Sequence, residues 1–272
     1  MSSLREARER HAGLRILDVR SATAFARGHL PGAGHCTPDA FVDRRMELPA
    51  RDIPLLCVDD DPARAEAAAR QLLTHGMEQV AWLACPLADE PDGHADVSPA
   101  ARLWSPSPFL ERVLPSLPPG RALDLASGTG RAAVFLASLG HEVEAWDVDA
   151  SALERAEAFA GRHGVHVRTR AIDLERTPPA RPETGFDVIV VVRYLHRPLF
   201  PWLEAALAPG GSLLLETFLR GQEQHGHPKR DRFLLERGEA SRAFPSLVVE
   251  HCDEDPLDAR PVMARLHARR PR

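Results

Sequence analysis

Cysteine is scarce in this chain, and tyrosine and lysine are nearly absent. The four cysteines, Cys36, Cys57, Cys85 and Cys252, are scattered without a C-x-x-C pair. That excludes a disulfide framework and a zinc-ribbon ligand set, and it fits a reducing compartment. Tyr194 is the only tyrosine and Lys229 the only lysine. So few lysines among so many arginines reads as nucleotide-composition bias in the host, not as arginine chemistry. No apolar run approaches the ~20 residues a membrane span needs. The first ten residues are charged and lack the apolar core of a signal peptide. The expectation is a cytoplasmic protein with no membrane partner. A net charge of −5 offers no electrostatic reason to expect nucleic acid either. With 272 residues and 44% hydrophobic content, two modest globular domains are favoured over one.

What is present centres on Arg121-Ala-Leu-Asp-Leu-Ala-Ser-Gly-Thr-Gly-Arg131. An apolar run carries Asp124, turns through Gly128 and Gly130, and enters the helical pattern Ala132, Val134, Phe135, Leu136, Leu139, with Gly140 as its stop. A second strand, His141 to Trp146, delivers Asp147. Glycines let a ligand touch bare backbone, and the helix start offers free N–H groups. Asp147 is suited to accept both ribose hydroxyls, and Asp124 faces a ligand ammonium directly or through water. Two acids beside such a turn suit S-adenosylmethionine. The rival reading is the dinucleotide fingerprint G-x-G-x-x-G/A in Gly128-Thr-Gly-Arg-Ala-Ala133. Asp124, just before the glycines, opposes a pyrophosphate there. A degenerate site that binds neither ligand is the third reading.

Leu-Asp-Leu-Ala-Ser-Gly-Thr-Gly-Arg131, Val143-Glu-Ala-Trp-Asp147, Ala171-Ile-Asp-Leu174 and Phe186-Asp-Val-Ile-Val190 resemble the signature segments of class I S-adenosylmethionine-dependent methyltransferases. Ala145-Trp-Asp147 and Phe233-Leu-Leu-Glu-Arg-Gly-Glu239 resemble most the tellurite-resistance methyltransferase branch. The resemblance covers roughly residues 100 to 270. It implies a cofactor site formed by Asp124, Ala126, Ser127, Gly128, Gly130, Asp147, Val148 and Arg193. It also implies that Asp173 and Leu174 hold the adenine, with the carboxylate accepting from its exocyclic amine. Many relatives carry glycine at position 126; alanine is tolerable there if the position keeps ordinary dihedrals.

The amino-terminal part alternates strands and helices, which implies a small parallel α/β domain. Leu17-Asp-Val-Arg20, Phe25 and Gly28-His-Leu-Pro-Gly-Ala33 resemble the rhodanese homology domain. Active members of that family place a cysteine five residues before an arginine. Counted back from Arg64, that position is Asp59. Cys57 is expected to be buried in the sheet, and Asp59, Asp60 and Asp61 would repel an anionic sulfur donor. The domain is therefore expected to be inactive and to serve docking, dimerisation or shaping of the partner domain's entrance. Asp18 and Arg20 read as a structural pair, worth little if exposed.

The organisation expected is a rhodanese-like domain over 1–88, a linker over 89–103 and a methyltransferase domain over 104–272. Trp104 and Phe109 are expected to begin a helix that lids the cofactor cleft, and Ser151-Ala-Leu-Glu154 to open a helix as a capping box. The second domain is expected to be a doubly wound Rossmann-like sheet with a carboxy-terminal antiparallel pair, ligands sitting at the carboxyl ends of its strands. Acceptor residues belong past the fourth and fifth strands, at Arg193-Tyr-Leu-His-Arg197 and Glu216-Thr-Phe-Leu-Arg220. Tyr194 is a candidate substrate contact, His196 a candidate base, and Arg193 and Arg197 candidate anion holders. His225 and His227 read as a solvated or gating loop, not as a metal pair.

The function expected is in-line methyl transfer to a small molecule, with a thiol, oxygen, nitrogen or chalcogen oxyanion as acceptor. The alternatives are a non-catalytic cofactor-binding scaffold and a sulfurtransferase using Cys57 or Cys36. A nucleic-acid methyltransferase is weaker, since no Asn/Asp-Pro-Pro-Tyr/Phe segment follows the fourth strand. The oligomeric state is left open.

Overall fold

The computed structural model describes residues 4–84, 96–117, 119–176 and 179–272. The chain divides into two compact units, Met1–Ser105 and Pro106–Arg272. Cys85, the expected domain boundary at 88 and residues 89–95 of the expected linker lie outside the described residues. Residues 96–103 belong to the first unit, where Asp96 bridges His29 and Ala101 N donates to Ala33 O.

The first unit holds α1 (Leu4–Arg10), β1 (Arg15–Asp18), α2 (Ala22–Arg27), β2 (Ala33–His35), β3 (Leu55–Asp59), α3 (Pro62–Thr74) and β4 (Val80–Ala84). Its strands form a parallel sheet in the order β2-β1-β3-β4. β3 is buried along its whole length because both faces are covered. Leu55 and Cys57 face one core with Leu17, Phe41 and Leu72, while Leu56 and Val58 face another with Ile16 and Leu83.

The second unit runs α4 (Pro108–Val113), β5 (Arg121–Leu125), α5 (Arg131–Ser138), β6 (Glu142–Asp147), α6 (Ala150–Arg162), β7 (Val167–Ala171), β8 (Phe186–Val192), α7 (Phe200–Ala206), β9 (Leu207–Phe218), β10 (Val248–Glu254) and β11 (Met263–Arg269). The sheet order is β10-β11-β9-β8-β5-β6-β7. Strands β5 to β9 are parallel, and β11 and β10 add antiparallel at one edge. The doubly wound sheet with its antiparallel pair is the expected architecture. The strand order reverses between β5 and β8, which places the ligand crevice at their carboxyl ends. Ile189 and Val190 of β8 are fully buried, as a central parallel strand requires.

Two local expectations are corrected. The cap of α6 is Asp149, not Ser151. The Asp149 carboxylate accepts from Ser151 N and Ala152 N, and a charged acceptor at a helix start outcompetes a hydroxyl. The helix after the linker, α4, begins at Pro108 and excludes Trp104. The Phe109 ring stacks on His251 and Arg112 approaches Asp253, both on edge strand β10.

Candidate active site

The turn Ala126-Ser-Gly-Thr-Gly130 leaves β5 and enters α5. Its two glycines have different jobs. At Gly130, with φ +78°, an added Cβ would lie 2.7 Å from the Ala156 Cβ, so side-chain absence lets α6 approach the helix start. At Gly128, with φ +53°, an added Cβ would meet nothing within 4 Å. This glycine turns a bare backbone face towards open space. Ala126 does not keep ordinary dihedrals: its φ is +57°. Among the described residues only Ala126 and Arg193 combine a side chain with positive φ. They follow adjacent strands β5 and β8 at the same end of the sheet. Backbone strain of this kind concentrates where a site is built.

The two acids flank this turn. Asp124 is buried, and one of its oxygens accepts from Ala133 N at 2.9 Å, fastening the first turn of α5. Burial, added to by the Asp147 charge and opposed by the Ala133 N–H, pushes the Asp124 carboxyl up to about 7. Asp147 Oδ2 accepts from Gly128 N at 2.7 Å and Oδ1 from Asp149 N at 2.9 Å. Each oxygen keeps a further lone pair for a hydroxyl donor. Val148 stands exposed beside it, a bare apolar side chain at the same strand end. Ser127 Oγ is buried without a hydrogen-bond partner among the described residues.

Asp173 follows β7. Its carboxylate accepts from Glu175 N and Arg176 N at 3.0 and 3.2 Å and pairs with the exposed Arg176. Leu174 is buried in the sheet's core cluster. Tyr194 follows β8, within the field of the acids at the neighbouring strand ends. Burial pushes its hydroxyl up to about 12, and the charges of Glu175, Asp173 and Asp147 push the same way. The phenol therefore stays protonated at neutral pH, and its oxygen has no partner among the described residues.

Arg193, Tyr194, Leu195, Glu175, Phe218, Phe233 and the segment His227–Arg230 line a cavity of about 680 Å³ past β8 and β9. The proposed acceptor residues divide here. Arg193 and Tyr194 line the cavity; His196 opens the short turn Arg197–Leu199 and is not in the lining. Arg197 is corrected from anion holder to positioning residue. Its guanidinium pairs with Glu239 at 2.5 Å and donates to Leu234 O at 2.8 Å, so its donors are spent on the segment that follows β9. Arg220 is likewise held by Asp231 and Glu236. His225 bonds the Leu257 carbonyl while His227 faces the cavity, so the two do not act together.

Sequence reasoning missed Glu175, Lys229, Arg230 and Phe233 as lining residues. The signal available was His227-Pro-Lys-Arg230, a basic cluster carrying the only lysine of an acidic chain.

In the first unit, Asp59 is buried and pairs with Arg64 at 2.7 Å. Its carboxylate also accepts from Asp61 N, and that of Asp61 accepts from Ala63 N and Arg64 N. The loop donors that would cradle an anion are thus taken by the loop's own acids. Cys57 is fully buried, which pushes its thiol up to about 12 and denies it the thiolate that sulfur transfer needs. Asp18 and Arg20 are not an exposed pair. Both are buried and doubly bonded, and Arg20 also donates to Gly28 O and pairs with Asp60.

A glycine turn between two acids at the switch point of a doubly wound sheet defines a nucleoside-binding α/β domain. Residues 122–211 match the family model of a methyltransferase domain, and residues 2–85 match that of a rhodanese-like domain. A rhodanese-like segment is thus followed by a methyltransferase-like one. It is similar to ribosomal protein L11 methyltransferase of Thermus thermophilus, 38% identical over 41% of this chain and 44% of the relative. It is also similar to ribosomal RNA small subunit methyltransferase B of the same organism, 32% identical over 43% of this chain and 32% of the relative. The chain thus spans less than half the length of these curated relatives. Among solved structures it resembles TehB from Haemophilus influenzae, with a TM-score of 0.47, 17% identity and 59% of each chain covered. Among the described residues no helix is long and apolar enough to cross a membrane. The second unit's site fits S-adenosylmethionine: a bare backbone face at Gly128, a hydroxyl acceptor at Asp147 and a buried acid at Asp124 for a cation.

Proposed function

We propose that the chain is a cytoplasmic S-adenosylmethionine-dependent methyltransferase acting on a small molecule, its rhodanese-like domain inactive in sulfur transfer. The observation that carries this is the pair Asp124 and Asp147 across the open face of Gly128. Asp147 would hold the ribose hydroxyls, with Gly128 and Ser127 against the ligand and Val148 beside it. Asp173 and Leu174 would bound the adenine, and Asp124 would favour the cationic amino-acid end from beneath the turn. When bound, the cofactor supplies a methyl group already activated on a sulfonium.

The remaining work for this chain's residues is alignment of the acceptor and exclusion of water. Tyr194, protonated and unpartnered, is placed to donate to an acceptor-side oxygen. Among the described residues no second polar group positions it or His196 by a hydrogen bond to serve as a general base. An acceptor that is nucleophilic without losing a proton first fits this set best. The names of the curated relatives support a second reading, a protein or RNA acceptor. The net charge of −5 and a cavity of small-molecule size, about 680 Å³, favour the small molecule.

Calorimetric titration of S-adenosylmethionine against the chain and its Asp147→Asn variant tests the reading. The expected result is a saturable site weakened about 10- to 100-fold by the substitution, the value of charge-assisted hydrogen bonds. No binding, or equal binding by both proteins, would overturn it. Incorporation of labelled methyl into small thiols and oxyanions, set against ribosomal protein and RNA, separates the two acceptor readings.

A further inference from the structure

We infer that the cavity past β8 and β9 is specific for an organic anion with an apolar body, and that Arg193, Lys229 and Arg230 select its charge. The inference rests on the methyltransferase reading of the neighbouring cofactor site and names the substrate class it serves.

Three cations meet at the cavity against one acid, Glu175. Among the described residues none of Arg193, Lys229 and Arg230 is in an ion pair. Three arginines nearby are committed, Arg197 to Glu239, Arg220 to Asp231 and Glu236, and Arg265 to Asp255. In a chain with 39 acids against 34 bases, three cations without a close ion pair around one cavity favour an anion there, although Arg193 also feels the buried Glu216. Apart from His227 the rest of the wall is apolar or aromatic: Leu195, Phe218, Pro228, Phe233 and the ring of Tyr194. A volume of about 680 Å³ is far larger than a bare inorganic oxyanion fills, and it lies in the range of small-molecule sites, roughly 300–1,000 Å³.

The polarity of the cavity orients the ligand. Glu175 stands with Asp173 and Asp147 around Tyr194, so that side repels an anion. The attracting pole is the Lys229–Arg230 end. The ligand's charged group belongs there, its apolar body along Phe218 and Phe233, and its far end towards Tyr194 and the cofactor site.

The test compares benzoate, phenylacetate and 3-phenylpropionate with their amides, which keep the shape and remove the charge. Binding is measured calorimetrically on the full chain, with and without saturating S-adenosylhomocysteine. The expected result is at least one carboxylate bound 10-fold or more tightly than its amide, with affinity falling between 50 and 300 mM salt. In the Lys229→Gln/Arg230→Gln variant that preference falls at least 10-fold while S-adenosylhomocysteine affinity is unchanged. Amides binding as well as carboxylates, or no carboxylate binding at all, overturns the inference. Should S-adenosylhomocysteine itself fail to bind, the cofactor reading falls, and the carboxylate-over-amide preference of the protein alone still decides this one.

Discussion

At Asp124 a single carboxyl couples the site to pH. Held near 7 by burial, it is protonated in the folded chain over a range where the unfolded chain, at its usual 3.8, is ionised. The folded state therefore takes up a proton, and this group's stabilisation is full below about pH 4 and lost as pH rises through about 7. A bound cation reverses the preference by favouring the ionised form. Affinity for S-adenosylmethionine is expected to rise from pH 6 to pH 8, with release of a proton on binding. Binding heats measured in phosphate and in Tris at pH 7 should differ in proportion to buffer ionisation. Identical heats together with a flat pH profile would remove Asp124 from this role. At Ala126 the argument concerns strain. A residue with a Cβ at φ +57° sits in a region that costs about 1 kcal/mol more for alanine than for glycine. Ala126→Gly is expected to raise the melting temperature of the second unit by about 2–4 °C. An unchanged or lowered melting point would mean that the turn relaxes elsewhere.

At the level of elements, two arginine clamps hold loops to strands. Arg20 binds Asp18 at the end of β1, the Gly28 carbonyl after α2, and Asp60 beyond β3. Because Asp18 and Arg20 are both buried, Arg20→Ala leaves a carboxylate without its partner. A loss of about 3–5 kcal/mol from the first unit is expected in urea unfolding. A loss below 1 kcal/mol would show the pair behaving as a surface one. Arg197 does the same in the second unit, joining the turn after β8 to Leu234 and Glu239. Arg197→Ala should leave cofactor affinity intact and weaken carboxylate binding in the cavity, because Lys229, Arg230 and Phe233 lie on the segment it restrains. Equal weakening of both ligands would show a general loss of structure instead.

As a whole, the molecule has two units with separate cores, which sets how it should unfold. Calorimetry is expected to resolve two transitions, with S-adenosylhomocysteine moving only that of the second unit. At 100 times its dissociation constant the ligand adds about 2.7 kcal/mol, a shift of roughly 5–10 °C. A single transition, or a ligand-induced shift of both, would show the two units unfolding cooperatively. The first unit keeps the fold of its family while its loop is closed on itself by Asp59 and Asp61. On the proposed reading it retains the sheet's packing value without the chemistry.

The strands, the glycine turn and both flanking acids were legible in the chain itself, because they rest on local periodicity and on glycines within one crossover. Asp147, Gly128 and the buried run of β8 needed only neighbours in sequence to be read. Tertiary structure alone decided the rest. The left-handed backbone at Ala126 and Arg193, the burial that moves Asp124, and the commitment of Arg197 to Glu239 are not properties of local pattern. Nor is the convergence of Glu175, Arg193 and Lys229, which lie on three loops far apart in the chain. Side-chain chemistry can be listed from sequence, but a residue's charge state and free donors depend on what packs against it, and those partners come from distant segments.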